Sequence, residues 1–242
     1  MKIVGKSDIG KVRVTNQDSF KIVKINKLYL CVVCDGMGGV AGGSTASNAA
    51  SEEFVCSMAL KINKAGQSKS DYEKMLIESV DAANKKVYEM SGENAELSGM
   101  GTTLCALLTD GKKVWASSVG DSRIYAFAKG GIYQVSHDHS YVQALIDNGT
   151  ITADESKTHP NKNIITRAVG TQPTVECDTF VFDFDASGYL ICSDGLTNYI
   201  SDGELNEIFL QNNEAEEVAD EYIRRANEKG GGDNITVIVI KK

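Results

Sequence analysis

Apolar, strand-like runs in this 242-residue chain repeatedly meet an aspartate joined to a glycine. LYLCVVC runs into Asp35-Gly36, KVWASSV into Gly120-Asp121 and YLICS into Asp194-Gly195, while Gly232-Asp233-Asn234 opens ITVIVI. A strand end presents its side chain from a packed support, which a free loop does less well. The pattern therefore points to a β-rich fold whose strand ends are the place to look for chemistry. Carboxylates gathered in one pocket repel each other and coexist ionised only around cations. An all-oxygen cluster suits Mg²⁺ or Mn²⁺ rather than a thiolate-bound metal. Turn residues at four unrelated places are the competing reading at this level.

Local patterns fill in the rest of the fold. SFKIVKIN and KLYLCVV read as strands joined by the turn Asn26-Lys27. A helix follows, with Ala46, Ala50, Phe54, Met58 and Ile62 spaced for one buried face. A second helix is expected to start at a capping box of Ser70 and Glu73 and to bury Tyr72, Leu76, Ala83 and Val87. TTLCALLT, KVWASSV and RIYAFA then read as strands. The connections Asp110-Gly111, Gly120-Asp121-Ser122 and Lys129-Gly130-Gly131 are short enough for hairpins. From about Ser136 to Arg167 the rhythm breaks into a polar segment holding all three histidines and a short helix, SYVQALIDN. TFVFDFD and GYLICS are further strands, followed by a helix opened by Ser201/Glu204 and another through EEVADEYIRRANEK. About ten strands with helices in two blocks predict an α+β fold of two packed, mainly antiparallel sheets flanked by helices.

Two prolines and no Ser/Pro/Gly tract argue for a single domain over 1–242. A net charge of −8, from 33 acidic and 25 basic residues, argues against general binding to nucleic acid or anionic lipid. Charges in MKIVGKSDIGKVRVTNQD leave no room for a signal-peptide core, and no apolar run is long enough for a membrane span. A cytoplasmic location is expected, with the six cysteines as buried thiols and the sequons at Asn148 and Asn234 as chance occurrences.

Other motifs carry less. Cys31 and Cys34 lie three apart inside a strand and so face opposite sides, which does not make half a zinc site. No cysteine has an arginine six residues on, so a cysteine-nucleophile phosphatase loop is absent, and the Gly5-x₄-Gly10-Lys11 string lies too close to the start and lacks the Ser or Thr of a phosphate loop, with Val12 in that place. FVFDFDAS could present an aspartyl nucleophile at Asp183, but a strand with one aromatic face and one wet face accounts for it. His137, His139 and His159 are candidate ligands or proton donors as well as ordinary loop residues. Arg13, just ahead of Asp18, is a candidate anion partner.

The ordered strings RVTNQD, VVCDGMGG, GMGTT, VGDSR, DHSYV, HPNKNIITRAVG, CSDGL and GGDNITV resemble the bacterial metal-dependent protein phosphatases of type 2C along essentially the whole chain. The resemblance implies a four-layer α-β-β-α sandwich with a helix pair on each outer face. It implies hydrolysis of phosphoserine and phosphothreonine in proteins phosphorylated by a serine/threonine kinase, by a metal-bridging hydroxide and without a covalent intermediate. Asp35, Asp194 and Asp233 would be the catalytic metal-binding carboxylates, with the Gly36 carbonyl on the first Mn²⁺ or Mg²⁺. Asp121 with Asp194 would hold a third ion, Asp18 would support water in the metal site, and Arg13 would bind phosphate. The segment from Ser136 to Arg167 would include a flap beside the site. Met37 stands where eukaryotic members have a histidine acid, and Gln17 where they have an acidic residue. The expected protein is a monomer that binds neither nucleic acid nor membrane. The alternative is a catalytically weak regulatory relative that binds phosphoproteins.

Overall fold

The computed structural model describes residues 1–65 and 71–242. With strands and helices numbered in chain order, one sheet runs β1 (Lys2–Asp8), β11 (Ile235–Lys241), β10 (Gly188–Cys192), β7 (Arg123–Ala128), β8 (Gly131–Gln134). The other runs β2 (Asp18–Ile25), β3 (Leu28–Met37), β5 (Leu104–Thr109), β6 (Lys113–Val119), β9 (Asp178–Asp183), with β4 (Gly101–Thr102) paired to the end of β3. Every pairing is antiparallel.

Three apolar cores stack through the molecule. Helices α1 (Gly39–Ala65) and α2 (Tyr72–Glu93) cover the second sheet, with Ala46, Ala50, Phe54, Met58 and Ile62 buried against Leu30, Val32 and Leu108. Helices α6 (Asp202–Gln211) and α7 (Ala215–Glu228) cover the first sheet, where Phe209, Val218 and Tyr222 meet Leu190 and Val237. Cys31, Val33, Leu107, Ile191 and Ile238 fill the space between the sheets. The result is the four-layer α-β-β-α sandwich. Burying side chains of this size stabilises by roughly 1.5–3 kcal/mol each before entropy is counted, so the layers hold the strand ends firmly. Cys31 faces the inter-sheet core and Cys34 the helical one, and burial pushes the Cys31 thiol up to about 12.

Several local expectations change. Gly120-Asp121-Ser122 is not a hairpin: β6 and β7 lie in different sheets, and the link crosses between them. Short turns match hairpins in length, so spacing alone could not separate the two. β1 is an added strand, its alternation blurred by Lys2, Gly5 and Lys6. The expected short helix forms as α3 (Tyr141–Asp147), capped by Ser140, and two further short helices occur, α4 (Ala153–Ser156), capped by Thr152, and α5 (Asp194–Thr197). Ser70 lies outside the described residues, and α2 is capped by Asp71, whose carboxylate accepts the Lys74 N–H. The Ser201/Glu204 capping box forms on α6 as the sequence suggests.

Antiparallel pairing brings the Asp-bearing ends together. Leu104 faces Val119 and Cys105 faces Val33, so the end of β3, the start of β5 and the end of β6 share one edge. In the other sheet Cys192 faces both Val237 and Arg123, which places the end of β10 beside the starts of β11 and β7. The Gly120–Ser122 crossover joins these two edges, so they lie at the same end of the sandwich.

Candidate active site

At that end a cavity of about 450 Å³ is lined by Asp35, Asp121, Asp194 and Asp233, with Arg13 and Met37 in its wall. Asp35 comes from the last turnover of β3, where the backbone is fixed on both sides. Thr103 Oγ1 accepts the Asp35 N–H at 2.9 Å, and the Asp35 carbonyl accepts from Thr102 Oγ1 and from the Thr103 N–H at 2.8 Å each. Gly36 follows because a side chain there would collide with the Gly43 carbonyl of α1 and with the Gln17 carbonyl. Asp121 sits in the inter-sheet crossover after Gly120, whose φ of +99° and whose contact with Thr103 exclude a side chain. Asp194 opens α5, and Asn198 one turn later donates to its Oδ2 at 2.9 Å. Asp233 precedes β11, with Oδ2 accepting from Arg13 at 2.8 Å and Oδ1 accepting from the Asn234 N–H at 2.9 Å.

Asp18 is not in the cavity wall but faces Asp35 across the β2–β3 ladder. Ser193 donates to its Oδ2 at 2.8 Å, while Oδ1 is buried without a hydrogen-bond partner. A buried carboxylate oxygen without a donor is costly, and water or an ion in the adjacent site would relieve it.

The electrostatics are strained in one direction. Desolvation, then the neighbouring Asp18 and Asp194 charges, push Asp35 well above the carboxylate range. Desolvation and Asp194 push Asp121 up to about 8, and desolvation pushes Asp18 up to about 6. Asp194 is raised by desolvation and by Asp233. Asp35, Asp121 and Asp194 line the cavity yet are crowded by protein, and Asp18 lies behind the wall, so all four are desolvated. Among the described residues no three carboxylate, imidazole or thiolate groups converge on one ion-sized point. The acids surround a space instead, with the Arg13 guanidinium offsetting the charge of Asp233 and the Asn198 amide donating a hydrogen bond to Asp194. The donor chemistry, all carboxylate and carbonyl oxygen, fits hard divalent cations.

The histidines are elsewhere. His139 is 6 % exposed and absent from the cavity wall; its Nδ1 accepts the Gly120 N–H at 3.1 Å and its Nε2 faces Asp178 at 3.2 Å. His159 lies against Tyr141 with Nδ1 accepting the Asn161 N–H, and His137 pairs with Asp147. Asp183 is exposed on β9, far in the ladder from the Asp-bearing edge: it faces Lys113, at the opposite end of β6 from Val119. The segment 136–167 closes on itself through the Tyr141 N–H on the Ile164 carbonyl, and Asn163 and Ile165 reach the cavity. Nothing in the sequence marks Thr103, Ser193, Asn198 or Asn234 as supports of the site, although Asn234 has a visible place in Gly-Asp-Asn.

Residues 4–236 match the family model for protein phosphatase 2C. The serine/threonine phosphatase stp of Listeria innocua is 36 % identical over 239 residues, which cover 98 % of this chain and 94 % of that protein. The crystal structure of the serine/threonine phosphatase Stp1 from Staphylococcus aureus superposes with a TM-score of 0.92 at 33 % identity, covering 100 % of this chain and 94 % of the other. The catalytic domain of the serine/threonine protein phosphatase PstP, solved with 2 manganese ions, superposes with a TM-score of 0.85 at 33 % identity, covering 99 % and 97 %.

Proposed function

The chain belongs to the protein phosphatase 2C family and is a protein serine/threonine phosphatase; from that premise we propose that its turnover depends on divalent cations held by Asp35, the Gly36 carbonyl, Asp194 and Asp233, with Asp121 and Asp194 taking a third. The observation that carries this reading is the single cavity lined by four aspartates, three of them with raised pKa values. Desolvation first, and mutual repulsion after it, disfavour the bare carboxylates here, and cations of charge two or more offset both. The manganese-bearing PstP domain supports the same choice, and either Mn²⁺ or Mg²⁺ suits the oxygen donors.

When bound, such ions supply Lewis-acid activation of the attacking water and neutralise phosphoryl charge. The residues supply the rest. Arg13, half exposed at the cavity and anchored on Asp233, turns its remaining N–H groups to phosphoryl oxygens. Asp18, fixed by Ser193, offers Oδ1 as the acceptor for water in the site. Met37 has no proton to donate, so the leaving alkoxide takes its proton from water rather than from a side chain at that position. No aspartyl or cysteinyl phosphoenzyme is required.

Substrates are phosphoserine and phosphothreonine proteins made by a serine/threonine kinase, acted on by a monomeric catalytic domain over 1–242 in the cytoplasm. The inter-sheet core, which takes side chains from both sheets, supports one domain. No helix among the described residues is long and apolar enough to cross a membrane. The test is phosphothreonine-peptide hydrolysis by protein stripped of metal, with Mn²⁺ or Mg²⁺ restored, and calorimetric titration of the same ions. Activity that requires the ion, with saturable binding, is expected. Full turnover in metal-free protein would overturn the reading, and ion binding without turnover would favour the regulatory alternative.

A further inference from the structure

Asn234 begins where Asp233 ends, but its side-chain amide serves a different part of the chain. Its Oδ1 accepts the Gln17 N–H at 2.8 Å, and its Nδ2 donates to the Ile9 carbonyl at 2.9 Å and the Thr15 carbonyl at 3.0 Å. All three partners are backbone groups of the link between β1 and β2, which passes from one sheet to the other without helix or strand. Asn234 is 5 % exposed, so these bonds form where water cannot replace them. The same burial leaves no access for glycosylation at this sequon.

Between the pinned ends the link is open to solvent: Val12 is 67 % and Val14 is 86 % exposed. Its other backbone tie to this region is the Lys11 N–H on the Gly231 carbonyl at 2.7 Å. Arg13 sits at the middle, with its guanidinium on Asp233. Two consecutive residues of the C-terminal segment thus hold one link, Asp233 by the arginine head and Asn234 by the backbone at both ends. An exposed nine-residue link has conformational entropy to lose, and a phosphate contact displaced by about 1 Å can cost on the order of a hundredfold in rate.

We infer that Asn234 is a positioning residue for Arg13: one buried amide sets the backbone of residues 9–17 and so places the guanidinium at the cavity. An aspartate in its place keeps the acceptor for Gln17 but sets carboxylate oxygen against two carbonyls. An alanine removes all three bonds. The inference rests on the proposed phosphate role of Arg13, and its consequence is coupling between the two residues.

The test combines Arg13→Ala and Asn234→Ala in a double-mutant cycle on phosphothreonine-peptide kcat/KM, with hydrogen exchange at the Lys11–Gln17 amides read on the same proteins. Asn234→Ala should lower kcat/KM by about tenfold in the wild-type background and by less than about twofold once Arg13 is gone. Its loop amides should exchange faster while those of β11 do not. Asn234→Asp serves for the same measurements if the alanine variant does not fold. Equal losses in both backgrounds, or loop exchange unchanged, overturns the inference. An Arg13→Ala protein as active as wild type removes the phosphate role of Arg13, and the exchange data then decide alone whether Asn234 holds the link.

Discussion

His139 binds both backbone groups of Gly120: its N–H donates to the Gly120 carbonyl at 2.9 Å, and its Nδ1 accepts the Gly120 N–H at 3.1 Å. Accepting at Nδ1 leaves the ring proton on Nε2, facing Asp178. The Thr166 N–H returns to the His139 carbonyl at 2.7 Å, so the base of the 136–167 segment and the residue before Asp121 share one support. Burial holds the imidazole pKa below its ordinary value, which favours the neutral ring that this bonding needs.

That role, outside the cavity wall, predicts that His139 does not protonate the leaving group. His139→Ala is expected to slow aryl phosphates and phosphothreonine peptides by the same factor, because it displaces Asp121 for both. The alkaline limb of the pH–rate profile should keep its position. A general acid would give the opposite result, a loss of about 10²-fold or more confined to the poorer leaving group. His159→Ala should be near wild type on both substrates.

Asp35→Asn, Asp194→Asn and Asp233→Asn should each lower kcat by about 10²-fold or more, since each removes charge on which cation affinity depends. Asp183→Asn, on the exposed face of β9, should stay within about twofold of wild type. Steady-state kinetics with circular dichroism as the folding control checks both. A dead Asp183→Asn protein would restore the aspartyl-nucleophile reading.

Asp121→Asn should retain two ions and lose the third. Calorimetric or elemental stoichiometry is expected to fall by one, with peptide turnover reduced. Three ions at full occupancy in the variant would place the third site elsewhere.

Glu204 offers a pH test remote from the cavity. The Lys229 ammonium and the Ser201 cap lower its carboxyl to about 2, against an ordinary value of 4.5. A carboxyl whose pKa falls on folding adds stability that is fully present above the unfolded value and lost as pH drops through the folded one. Wild type should therefore lose stability relative to Glu204→Gln as pH falls from about 5 to 2, and the gap should be constant from pH 6 to 8. Urea midpoints across that range check it. Screening at this surface pair should shrink the gap in 1 M salt.

The sequence by itself determined the layers and most of the acids. Period-two apolar runs and the stripe from Ala46 to Ile62 dictate strands and a one-faced helix, because each must bury its apolar side. Aspartate beside glycine at strand ends marked Asp35, Asp121, Asp194 and Asp233 before any fold was known. Tertiary structure decided which of those ends meet. The Gly120–Ser122 link could have closed a hairpin, and only pairing across the sheets shows it as the crossover that joins two edges into one cavity. Nor could the sequence separate His139 from an acid or Asn234 from a stray sequon. Hydrogen bonds between residues 19 and more than 200 positions apart give these side chains their roles, and no local pattern encodes partners at that distance.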